Sequence, residues 1–162
     1  MSIKNNTRIK MKTIDHYIYL DYSENLIGYA IIEREKVNII LPKISKFRHY
    51  KDVKHKKQYL AAMKKVISSK KIIEDLTKLK IKELRDNLSI FVGIIDFIKK
   101  NDNCAIFASI DNNQYSAFTK LLNLVPHKDH VSLVKESDLK EGSMEYKLSL
   151  IIDTLLNIKR NE

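Results

Sequence analysis

The chain has 162 residues and a formal net charge of +10, is 44% hydrophobic and 31% charged, and contains only 3 Gly and 2 Pro. This length suits one ordinary domain, which hides roughly two thirds of its unfolded surface without needing a disulfide or structural metal. The composition excludes disordered, collagen-like and low-complexity classes, and the lone Cys104 excludes an internal disulfide or a cysteine zinc site.

Residues 1–12 read as a basic N-terminal arm. Asp15, His16 and Asp21 then interrupt what a secretion signal keeps apolar, which predicts a reducing, cytoplasmic setting. Three runs rich in Ile and Tyr, 13–21, 28–33 and 36–44, predict three antiparallel strands. Helical spacing follows over 50–69, 72–81 and 84–100. The run Leu88–Ile98 is broken by Asp96 and is far shorter than the ~20 residues a membrane crossing needs, so no membrane partner is expected. A continuous apolar run, CAIFASI from Cys104, predicts a buried strand, and Asp111-Asn112-Asn113 supplies turn chemistry after it. A helix over 114–123, a strand over 130–134 and a helix from Ser143 to about Ile158 complete the order. Strands first paired as hairpins and then alternating with helices predict an α/β fold with a mixed sheet covered on both faces.

Charge is unevenly spread. Residues 43–82 hold 14 Lys or Arg against three acids, a net of +11, so the remainder of this +10 chain sums to −1. Lys54, Lys56, Lys57, Lys64, Lys65, Lys70 and Lys71 form the densest part. Such a block suits a polyanion, because lysine contacts to phosphates release counterions and dominate sequence-independent affinity. Phe47, His49, Tyr50 and Tyr59 lie among the lysines, an interleaving that suits stacking on single-stranded bases. A solvated lysine-rich helix explains the same residues without a partner.

The acids fall at element ends. Asp21 closes the first expected strand, Asp111 follows the fourth, and Asp153 lies at the edge of the apolar stripe of the last helix. If the first and fourth strands are parallel neighbours, Asp21 and Asp111 reach one edge of the sheet and can share a cation. Oxygen ligands of this kind suit Mg²⁺ or Mn²⁺, which also take phosphate oxygens. Glu83, Asp86 or Asp96, at or along the helix before the fourth strand, are candidates for a fourth carboxylate. Ordinary turn and capping roles account equally well for Asp21 and Asp111. His127, before the last strand, is a weaker candidate for proton transfer. No GxSxG elbow, Walker loop or GxGxxG is present.

The strings IYLDYSENLIGYAIIEREKVNII and CAIFASIDNNQYSAF, in this order of elements, resemble the ribonuclease H-like superfamily. The resemblance extends over most of residues 13–158 and leaves the branch open among hybrid ribonucleases, Holliday-junction resolvases and uncharacterised prokaryotic families. It implies a mixed five-stranded sheet, three antiparallel strands then parallel ones, in a single domain over 13–162 with a lysine-rich helical insertion at about 43–82. It also implies that Asp21, Asp111 and Asp153 are metal ligands, with Glu83 or Asp86 as the further catalytic carboxylate. The function expected is a Mg²⁺- or Mn²⁺-dependent nuclease acting on RNA, DNA or a hybrid. The alternatives are a non-catalytic nucleic-acid-binding module and a module whose basic segment docks an acidic protein. A homodimer is compatible with either.

Overall fold

A computed structural model of the chain describes residues 13–126 and 130–162. The expected arm over 1–12 and His127 lie outside the described residues. Strands β1 (His16–Ser23) and β2 (Leu26–Glu33) form a hairpin and precede helix α1 (Arg34–Ile40). Helix α2 (Lys56–Ser69), strand β3 (Lys78–Glu83), helix α3 (Asn87–Lys100), β4 (Cys104–Ser109), α4 (Asn112–Leu122), β5 (Val131–Lys135) and α5 (Met144–Arg160) follow. The five strands lie in the order β3-β2-β1-β4-β5. The β1–β2 and β2–β3 pairs are antiparallel, whereas β4 runs parallel to β1 and β5 parallel to β4. The α/β class and the mixed five-stranded sheet agree with the sequence.

Side chains alternate across the sheet and build two cores. On one face Tyr17, Tyr19, Ala30, Ile32 and Phe107 pack with residues of α1, α2 and α5. On the other Ile18, Leu20, Ile31 and Ile106 pack with Ile90, Phe91 and Ile94 of α3 and Phe118 of α4. No helix among the described residues is long and apolar enough to cross a membrane.

Several expected elements are corrected. Residues 36–44 are not the third strand but α1 and a 3₁₀ turn at Leu41–Ile44. Val37, Ile40 and Ile44 are buried, three to four residues apart, and Pro42 has no N–H for a strand ladder. The third strand is β3, which overlaps the end of the stretch expected as helix over 72–81; Lys78, Lys80 and Lys82 alternate with Leu79 and Ile81, a period of two. The helical excursion therefore lies between β2 and β3 rather than after the third strand. Tyr50–Asp52 is a separate 3₁₀ turn ahead of α2. Asp21 does not close β1, which continues to Ser23 before a turn in which Glu24 has φ 52°.

Candidate carboxylate site

Asp21 lies on the central strand, facing α5. Its register neighbours are Gly28 on β2 and Ser109 on β4. Both are small, which leaves room above Asp21 for α5 to approach. A Cβ on Gly28 would stand 2.8 Å from the Lys80 carbonyl oxygen, 2.9 Å from Ile81 Cγ1 and 3.4 Å from Ile152 Cδ1. Glycine is thus required by the closeness of β3 and of α5, the helix that carries Asp153 one residue beyond Ile152.

Asp21 and Asp153 are each only 6% exposed. The sequence put Asp153 at the border of the apolar stripe, but α5 is buried continuously from Leu148 to Asn157. The reason is a second covering layer: α2 packs on α5, and the backbone N–H of Tyr50 donates to Asp153 Oδ2 at 2.8 Å. His49 Nδ1 stands 3.9 Å from the same oxygen. Asn157, one turn on, donates to the Asp153 carbonyl at 2.7 Å, and its Oδ1 accepts from Ser23 Oγ at 2.9 Å and Arg160 Nη2 at 3.0 Å. These bonds tie α5 to the end of β1.

The Asp153 charge acts on Asp21, and Glu136 acts on both. Burial, then the Asp153 charge, then the Glu136 charge push the Asp21 carboxyl well above the ordinary aspartate value, against the Tyr22 N–H and the Ser109 hydroxyl, which favour its ionised form. Burial also raises Asp153, and Glu136 adds to it, while His49, the Tyr50 N–H and Lys51 pull the other way. Neither acid has a Lys or Arg within 4 Å among the described residues. Glu136, in the 3₁₀ turn after β5, lines with Asp21, Tyr19, Ser109, Ser149 and Ile152 one narrow cleft. The Tyr19 hydroxyl is buried there without a hydrogen-bond partner.

The other expected acids are placed differently. Asp111 is exposed two residues beyond Ser109, where its Oδ1 accepts from Gln114 N at 2.9 Å as the N-cap of α4. Glu83 is not on a helix: it ends β3, exposed and paired with Arg85 at 2.9 Å. Asp86 is exposed at the start of α3, and Asp96 is exposed along it. Glu136 was missed in the sequence reading; its signal is its place directly after a parallel strand, like that of Asp111. Among the described residues, no three His, Cys, Asp or Glu side chains stand close enough to hold a metal ion between them.

The seven lysines of the densest part of the block, Lys54 to Lys71, are all exposed, on or beside α2. The aromatics interleaved with them do not form a stacking platform. Phe47 is buried in the core. The Tyr59 hydroxyl donates to the Arg48 carbonyl at 3.0 Å and accepts from the Arg48 N–H at 2.7 Å. The Tyr50 ring carries Lys56 Nζ at 5.3 Å and Arg160 Cζ at 5.6 Å from its centroid.

Comparison with known proteins returns no match to a family model, to a curated protein or to a solved structure.

Proposed function

We propose that this chain is a divalent-metal-dependent nuclease, or a related phosphodiester-processing enzyme, on a ribonuclease H-like fold. The observation that carries the reading is the pair Asp21 and Asp153, two buried carboxylates, the charge of the second raising the first, with no Lys or Arg within 4 Å among the described residues and only His49 near Asp153. Uncompensated buried charge is costly unless a cation or a proton offsets it. The strand order β3-β2-β1-β4-β5, antiparallel on one side of β1 and parallel on the other, supports the fold assignment.

The donor set fits Mg²⁺ or Mn²⁺. These hard cations prefer oxygen and are commonly held by one or two carboxylates, with waters and substrate phosphate oxygens filling the remaining positions. Asp21 and Asp153 would hold the ion, and Glu136 is the third acid whose charge reaches both. A bound ion of this kind supplies positive charge to phosphate oxygens and acidifies water. The chain's own groups orient the ligands: Tyr50 N–H fixes one oxygen of Asp153, and the Ser109 hydroxyl and Tyr22 N–H hold Asp21. The lysines of α2 supply the positive surface for the nucleic acid, and the buried Cys104 suits a reducing cytoplasm.

The test is calorimetric titration of Mg²⁺ and Mn²⁺, without and with nucleic acid, into the wild type, Asp21→Asn and Asp153→Asn, followed by hydrolysis assays on RNA, DNA, hybrid and junction substrates. Saturable binding and cleavage that both substitutions abolish are the expected outcome. Folded protein that binds neither metal in either setting leaves the alternative, a nucleic-acid-binding module.

A further inference from the structure

Two adjoining cavities make up a groove beside α2 and α5. One cavity of about 470 Å³ is lined by Tyr50, Lys56, Lys57 and Lys64, and a second of about 470 Å³ by Lys64, Lys71 and Leu155. Lys64, Ile158 and Glu162 line both, so the two adjoin. Lys57 and Lys64 are seven residues apart, nearly two turns of α2, which puts them on one side of that helix, and Lys71 follows just past its end. Lys57 and Lys64 are about 10 Å apart along the helix axis.

Two observations mark these three lysines. First, they line the two cavities, whereas Lys54, Lys65 and Lys70 line neither, and among the described residues none of the three has a carboxylate within 4 Å; of the two acids lining the groove, Glu162 pairs with Lys159 at 3.5 Å and Glu74 is exposed. Second, Lys71 has φ 54° in the residue that closes α2, where its N–H donates to the Ser68 carbonyl and the Ile72 N–H to the Ile67 carbonyl. That position favours glycine, and here it holds a lysine. Tyr50 joins the groove to the acids: its ring carries Lys56 and Arg160 while its N–H holds Asp153.

We infer that this groove is a phosphate track: Lys57, Lys64 and Lys71 grip the backbone of a nucleic-acid strand and lead it past Tyr50 to the Asp21–Asp153 pair. The strand is engaged through its phosphates and not its bases, because Tyr50 is the only aromatic lining the groove and its ring is taken by cations. The track deepens the function proposed above and rests on it for the identity of the polyanion.

The test measures binding of a fluorescent single-stranded oligonucleotide in EDTA, so that the result is independent of metal binding and cleavage. The triple variant Lys57→Gln, Lys64→Gln, Lys71→Gln is compared with a control of equal charge change outside the basic block, Lys99→Gln, Lys100→Gln, Lys120→Gln, all exposed. Between about 50 and 200 mM salt, the slope of log affinity against log salt falls by about 2 in the track variant, at about 0.7 for each lost phosphate contact, and stays near wild type in the control. Homopolymers of different bases bind the wild type within a few-fold of one another. Equal losses in the two triples, or no loss in either, overturn the track, as does a base preference above about tenfold. Loss of cleavage in Asp21→Asn with track binding intact separates this outcome from failure of the catalytic reading.

Discussion

The Tyr50 N–H reaches Asp153 Oδ2 at 2.8 Å across 103 residues of sequence. One backbone group thus satisfies a buried carboxylate on α5 and sets a ring beside Lys56 and Arg160. The acidic patch and the basic surface therefore meet at a single residue.

Asp21→Asn is expected to stabilise the protein at neutral pH while removing metal binding. Burial and the charges of Asp153 and Glu136 raise the Asp21 carboxyl well above 3.8. The fold accordingly prefers the protonated acid: its contribution is complete below 3.8 and is lost as pH rises through the raised value. Asparagine keeps the shape without the charge, so melting temperature rises, by about 2–4 °C for each kcal/mol gained in a chain of this size. Stability also flattens with pH above the acid range. Melting curves across pH, recorded in EDTA, check this; an unchanged or lower melting temperature at neutral pH contradicts it.

At Asp111, alanine and serine separate capping from ligation. Loss of the bond to Gln114 N in Asp111→Ala costs about 1 kcal/mol, whereas Asp111→Ser retains a good N-cap. The serine variant is expected to match the wild type in both stability and metal affinity. A folded serine variant that no longer binds metal makes Asp111 a ligand.

How much of this was legible in the sequence depends on the range of the interaction. Strands β1, β2 and β4 and helices α3 and α5 were readable because each has its own apolar period and is long enough to show it. Strand β3 was not: Ile72, Ile73 and Leu76 before it run at helical spacing and hide the alternation of Leu79 and Ile81 with lysines. Residues 36–44 misled in the other direction, since Val, Ile and Leu are frequent in strands while Val37, Ile40 and Ile44 are spaced for a helix. Element order singles out Asp21, Asp111 and Asp153 alike, and only packing separates the buried Asp21 and Asp153 from the exposed Asp111. Glu136 and the backbone of Tyr50 are not legible beside them, because their relation to these acids is set by tertiary packing.

Gly28→Ala is expected to lower stability by about 1–3 kcal/mol, the usual cost of forcing a methyl into a packed position. The nearest atom is a backbone oxygen of β3 at 2.8 Å, which cannot rotate away. A lower urea midpoint with an unchanged slope is the expected reading, and a neutral result means that β2 and β3 separate easily.

Lys71→Gly is expected to raise stability by up to about 1 kcal/mol, because glycine adopts the positive φ of this helix end without strain. The same change weakens binding of an oligonucleotide. Gain in one measurement and loss in the other identifies a residue kept for its charge; a loss of stability contradicts the account of the helix end.

All five strands precede α5 in the chain, yet one of the two central acids lies on that helix. During synthesis the sheet can begin to pair with Asp21 still facing water, its charge unopposed by Asp153. The acidic pair comes into being only after the last helix has emerged and docked.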